Sequence, residues 1–155
     1  MSAGDASAGV LGPVLFAYDG SDLAGLAIEE AGRQLETGRD AVVLTVWRPF
    51  GLGFIPPPHL EFDAAAPEEV KKAAEGTAAQ GASLALAAGF RAETLTLEEA
   101  LAWKGISHVA DDRDASLIVL GSHGKRGLGG VFLGSVAGDV AAHSRRTVLI
   151  VHKRT

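Results

Sequence analysis

The sequence predicts an α/β fold, a parallel sheet with helices on both faces, and three observations lead to it. Short, almost continuous apolar runs recur, such as Val14-Leu15-Phe16-Ala17 and Ala41-Val42-Val43-Leu44-Thr45-Val46-Trp47; strands covered on both faces read this way. Between the runs lie longer segments whose apolar residues repeat at helical spacing. The two patterns alternate, strand–helix four times and then a fifth strand, which implies parallel pairing through right-handed crossovers.

The first dozen residues, rich in Ser, Ala and Gly, are expected to form a flexible tail (1–12) ahead of a single domain over 13–155. The first apolar run ends at Tyr18-Asp19-Gly20-Ser21, a turn in which Ser21 is placed to cap a helix with Asp22 in its first turn. Leu23, Leu26, Ala27, Ala31 and Leu35 share one helical face, and Gly38 can end that helix. The second strand follows over 41–47. Residues 48–67 hold Pro49, Pro56, Pro57 and Pro58, too many prolines for a regular element; this stretch is either a lid over a ligand or a long variable connection.

An Ala-rich helix is expected over 68–88, closed by Gly89, and a strand of alternating character over 91–95. Thr96 with Glu99 three residues later makes a capping-box signature. Ala102, Ile106, Val109 and Ala110 would be the buried face of the helix behind it. Residues 115–120 read as a central strand and 121–130 as a Gly-rich loop. Val136, Ala137, Val140 and Ala141 would face the core from a last helix, and Val148-Leu149-Ile150-Val151 closes the chain as a strand.

Composition narrows the function. The 155 residues carry 14 Lys plus Arg against 19 Asp plus Glu, a net charge of −5, and suit one core. With no Cys, disulfide scaffolds, thiolate metal sites and cysteine nucleophiles are excluded. No apolar run approaches the ~18–20 residues that span a bilayer. The first twelve residues lack Lys, Arg and a long apolar stretch, so a signal peptide is not expected and a cytoplasmic protein without a membrane partner is. Residues 1–120 hold 8 basic and 18 acidic side chains (−10); residues 121–155 hold 6 basic ones against Asp139 alone (+5). An acidic chain argues against a nucleic-acid partner. Its basic end is either a solvated surface or a seat for one small anion.

Sheets of this kind bind ligands beyond the carboxyl ends of their strands, where strand order reverses. That selects Asp19 at the end of the first strand and the loop beginning at Gly121. In the loop, Gly121 lets the chain leave the strand sharply, and Gly124 permits a positive φ or close backbone approach. Consecutive amides in such a turn can form an anion-binding concavity. Gly134-Ser135 then opens a helix whose first N–H groups lack intrahelical partners, a setting suited to phosphate. Lys125 and Arg126 can add charge at the rim. The alternative is a Gly-rich turn in which Ser135 is only a cap. A P-loop is absent, because Gly124-Lys125 is followed by Arg126 and Val119 stands where the first glycine belongs. The dinucleotide fingerprint is absent too: the second strand ends at Trp47-Arg48 without a carboxylate.

The pattern present is Gly, two residues, Gly, nine residues, Gly-Ser: Gly121, Gly124, Gly134, Ser135. With Leu117-Ile118-Val119-Leu120 before it, Val148-Leu149-Ile150-Val151 at the end and Asp19-Gly20-Ser21 after the first strand, the chain resembles the universal stress protein family over residues 13–153. The resemblance implies an open five-stranded parallel sheet of order 3-2-1-4-5, adenine nucleotide alpha hydrolase-like. Intact glycine spacing implies the subgroup that binds ATP. By that resemblance Gly121, Ser122, His123, Gly124, Lys125, Arg126, Gly134, Ser135 and Val136 would hold the phosphates and ribose. Ala17, Tyr18 and Asp19 would line the nucleotide from the first strand, and Val46 would meet adenine through its backbone. Mg2+ would ride on the phosphates. The extra Gly127, Gly129 and Gly130 make the loop more mobile than the motif requires.

Other residues leave alternatives open. Asp19 could approach a ribose hydroxyl or a metal, or simply cap the turn at Ser21. His123 is a spacer or a phosphate-facing donor, since no carboxylate lies near it in sequence to orient it as a base. His59, His108, His143 and His152 show no metal-ligand spacing, and Trp47 and Trp103 read as core and rim packing. Three classes stay in view: a nucleotide-binding stress or signalling module, a slow ATPase or phosphotransferase using the same pocket, and an interaction protein with an empty loop. Intact glycine spacing disfavours the third; the lack of an evident base or in-line nucleophile disfavours the second. No catalytic residue or protein metal ligand is assigned. The resemblance also implies a homodimer through the last strand, Thr147, Val148, Leu149, Ile150, Val151 and His152, an apolar edge whose backbone invites a second strand.

Overall fold

The computed structural model describes residues 11–48, 67–124 and 133–154. Strands β1 (Val14–Ala17), β2 (Asp40–Trp47), β3 (Arg91–Glu98), β4 (Leu117–Gly121) and β5 (Val148–Val151) alternate with helices α1 (Asp22–Gln34), α2 (Pro67–Ala87), α3 (Ala102–Asp112) and α4 (Ser135–His143). All strand pairs are parallel, in the order β3-β2-β1-β4-β5 that the family resemblance implied.

Alternate residues of each strand enter opposite cores, the consequence of a period of two. Val14, Phe16 and Val43 pack with Ala27, Ile28 and Ala31 of α1 and Ala82 and Ala85 of α2. Leu15, Val42, Leu44 and Ile118 pack with Ile106, Val109 and Ala110 of α3 and Ala137 and Val140 of α4. Phe16 meets Phe90 edge to face, with ring centroids 5.1 Å apart. Gly89, at φ +100°, takes the left-handed conformation that closes α2. Among the described residues no helix is long and apolar enough to cross a membrane.

Three expectations are corrected. The strand expected over 91–95 continues to Glu98, so Thr96 pairs with Thr45 and does not cap a helix. The following helix starts at Ala102, with Leu101 at its N-cap and no side-chain cap. Eight residues of β2 need a partner of equal length, and that ladder outweighs a local capping box. Helix α1 buries Ala24, Ala27, Ile28 and Ala31, with Leu23 and Leu26 only partly buried. Small residues let α1 lie close to its neighbours: a Cβ on Gly32 would stand 2.8 Å from the Ala88 carbonyl oxygen. Finally, α4 buries Ala137 and Val140 but leaves Val136 and Ala141 exposed, because this short helix lies at the rim.

Candidate functional site

At the carboxyl end of β1 the chain is held by β2. The Tyr18 N–H donates to the Leu44 carbonyl (2.9 Å), and the buried Thr45 hydroxyl donates to the Tyr18 carbonyl (2.9 Å). The Tyr18 ring turns away under α2, so close that a Cβ on Gly81 would lie 2.7 Å from it. Burial first, then the charges of Asp19 and Asp22, push its phenol pKa up. Tyr18 therefore meets the crevice through its backbone, and Ala17 packs toward the core shared with α3 and α4. Gly20, at φ +83°, makes the turn. The Asp19 carboxylate accepts the Ser21 N–H (2.9 Å), and the Ser21 hydroxyl accepts the Ala24 N–H (3.2 Å) as the cap of α1.

Val46 is placed by alternation along β2. The Leu44 carbonyl faces β1, while the Trp47 carbonyl accepts from Glu99 on the β3 side (3.0 Å). The Val46 N–H and C=O accordingly face the β1 side, beyond the last register pair, Ala17 with Leu44.

After β4 the loop is stitched together at both ends. The Ser122 N–H donates to Val151 (2.8 Å), and its carbonyl accepts the Gly134 N–H (2.7 Å), joining the start of the loop to its finish. Ser122 is buried, with its hydroxyl 3.1 Å from His123 Nδ1. Each motif glycine marks a close approach. A Cβ on Gly121 would stand 2.9 Å from the Leu23 side chain, one on Gly124 would stand 2.6 Å from Asp19 Oδ2, and one on Gly134 3.2 Å from the Ser122 carbonyl oxygen. None of the three has a positive φ; close approach, not a left-handed conformation, is what they provide. Helix α4 starts at Ser135 with Gly134 as N-cap and no side-chain cap. Its first amides therefore open toward the crevice, with Ser135 and Val136 exposed beside them. Lys125 and Arg126 lie outside the described residues.

The structure thus brings Asp19, Gly121, Ser122, His123, Gly124, Gly134 and Ser135 to one end of the sheet, with the Val46 backbone facing the same end. Thr45 escaped the sequence reading. The signal was a lone hydroxyl inside an apolar run, two residues from the carboxyl end of the strand. Among the described residues no group of three or more His, Asp or Glu is placed to hold a metal ion.

A model of the universal stress protein family matches residues 11–152. The chain belongs to this family. The universal stress protein YxiE of Bacillus subtilis (strain 168) is 33% identical over 148 residues, which cover 89% of this chain and 97% of YxiE. Among solved structures, the hypothetical protein MJ0577 superposes with a TM-score of 0.75 at 22% identity, over 94% of this chain and 99% of that one. A universal stress protein in complex with cAMP gives 0.65 at 24% identity, over 92% and 97% of the two chains. The Archaeoglobus fulgidus universal stress protein in complex with dAMP gives 0.65 at 22%, over 91% and 97%. At these identities the universal stress protein structures and this chain share a fold, the adenine nucleotide alpha hydrolase-like one.

Proposed function

We propose that this universal stress protein binds ATP and acts as a nucleotide-dependent stress-response or signalling module. The observation that carries the reading is the meeting of two loops where strand order reverses. Asp19 after β1 abuts Gly124 after β4, beside the uncapped start of α4. The triphosphate would take the amides of His123 and Gly124 and of the first turn of α4, with the Ser135 hydroxyl, where the helix dipole favours negative charge. Lys125 and Arg126 would add charge. Asp19, with the backbone of Ala17 and Tyr18, would line the ribose side, and Val46 would meet adenine. Mg2+ would be carried by the phosphate oxygens, neutralising their charge. Two solved relatives of the same fold, in complex with cAMP and with dAMP, support an adenine nucleotide as the ligand class. Calorimetric titration with ATP, with and without Mg2+, tests this directly. Saturable binding is the expected result, and its absence overturns the reading.

The partner that the β5 edge suits is a second copy of the chain. The Thr147 and Val151 carbonyls accept the N–H groups of Ile118 in β4 and of Ser122 just after it, so by alternation residues 148, 150 and 152 turn their N–H and C=O outward. A two-fold copy laid antiparallel along β5 would satisfy those groups and cover the half-buried Val148, Leu149 and Ile150.

A further inference from the structure

We propose that Thr45 sets the base specificity of this site by keeping the Val46 amide out of the sheet. In a parallel ladder, a residue facing its neighbour donates to one carbonyl there and accepts from the amide two positions further on. Tyr18 obeys the first half, donating to Leu44 at 2.9 Å. The second half would be a bond from the Val46 N–H to the Tyr18 carbonyl. In its place the Tyr18 carbonyl accepts the Thr45 hydroxyl, at 2.9 Å and fully buried. A side-chain donor has replaced a ladder amide. The two strands separate early by a single bond, and Val46 turns its N–H and C=O together toward the crevice.

A backbone donor and acceptor side by side complement the N1 acceptor and amino donor of adenine. Hypoxanthine presents the reverse, an N1–H donor and an O6 acceptor. A site built from such groups rejects the base that leaves them unpaired. Valine at position 45 keeps the shape and loses the hydroxyl. The Tyr18 carbonyl would then be buried without its donor, a costly state, and the Val46 amide is placed to take over by closing the ladder.

This specificity role rests on the nucleotide reading above, so its test has one arm that needs no nucleotide. Amide hydrogen exchange in the ligand-free protein reads Val46 itself. Exchange should be at least about tenfold slower in Thr45→Val than in wild type, the effect of one added ladder bond, and unchanged in Thr45→Ser. Titration with ATP and ITP forms the second arm. Wild type and Thr45→Ser should prefer ATP, while Thr45→Val should lose about tenfold in ATP affinity and with it the preference. Thr45→Ala, which also lacks the hydroxyl, is measured alongside in case valine unfolds the domain. Equal Val46 exchange in wild type and Thr45→Val overturns the proposal, as does an undiminished ATP-to-ITP ratio. A wild type that binds neither nucleotide overturns the nucleotide reading and the specificity role with it, while the exchange arm still judges the Thr45–Tyr18 contact.

Discussion

The Asp19 carboxylate lies so close to Gly124 that a Cβ on the glycine would stand 2.6 Å from Oδ2. These residues are far apart in sequence and follow two adjacent strands, β1 and β4. Their contact draws the two loops of the site together across the point where strand order reverses. Any side chain at position 124 would have to push that carboxylate aside.

Gly124→Val should remove ATP binding and leave the fold intact. The branched side chain would displace the Asp19 carboxylate and fill the space where a phosphate would meet the loop amides. Position 124 is exposed, so circular dichroism should match wild type. Equal ATP affinity of the two proteins by calorimetry would move the site elsewhere.

Turnover should be slow. The sequence offers neither an evident base nor an in-line nucleophile, and among the described residues the partner of His123 Nδ1 is the Ser122 hydroxyl, not a carboxylate that would raise its basicity. ATP hydrolysis should fall far below the usual enzyme range of roughly 1–1,000 per second. Several turnovers per second, abolished by a pocket substitution, would identify an enzyme instead.

Stability should fall at alkaline pH through Tyr18. Burial, Asp19 and Asp22 raise its phenol pKa in the folded state above the ordinary value of about 10. The folded protein thus holds this proton more tightly than the unfolded chain. The contribution is fully present below about pH 10 and is lost as pH rises through the folded-state titration. Tyr18 is the only tyrosine, so phenolate absorbance reports it alone. Urea midpoints should drop above pH ~10 in wild type and drop less in Tyr18→Phe; parallel curves would refute the assignment.

Two glycines of α2 should respond oppositely to alanine. A Cβ on Gly81 would lie 2.7 Å from both the Tyr18 ring and the Val43 side chain. Gly81→Ala should cost about 1–3 kcal/mol by overpacking. Gly76 has nothing within 4 Å of its Cβ position, and Gly76→Ala should add about 0.5–1 kcal/mol from helix propensity. Denaturant unfolding of both variants checks the pair, and a shared sign would contradict the packing.

Ile150→Pro should split the proposed dimer. The Ile150 N–H turns away from β4, so proline at this position removes an outward donor without taking a bond from the sheet. Light scattering should show a dimer for wild type and a folded monomer for the variant. A wild type that stays monomeric in concentrated solution would rule out the β5 interface.

Much of this molecule follows from its amino-acid pattern alone. The double-faced apolar runs of residues 14–17, 41–47 and 148–151 require a sheet covered on both sides. The helical segments between them require crossovers, and the spacing of Gly121, Gly124, Gly134 and Ser135 marks the loop. These features are legible because periodicity and the steric needs of glycine travel with the local chain. Only the folded molecule decided the rest. Thr96 looks like a helix cap until β2 claims it as a strand partner. Leu23 reads as core, yet it packs against Gly121 because that glycine leaves room for it. Thr45 reads as one more buried strand residue, while its hydroxyl ends the β1–β2 ladder. In each case the outcome depends on which neighbour stands across a strand or loop. Register and strand length set that neighbour, and both arise from all five strands packing at once.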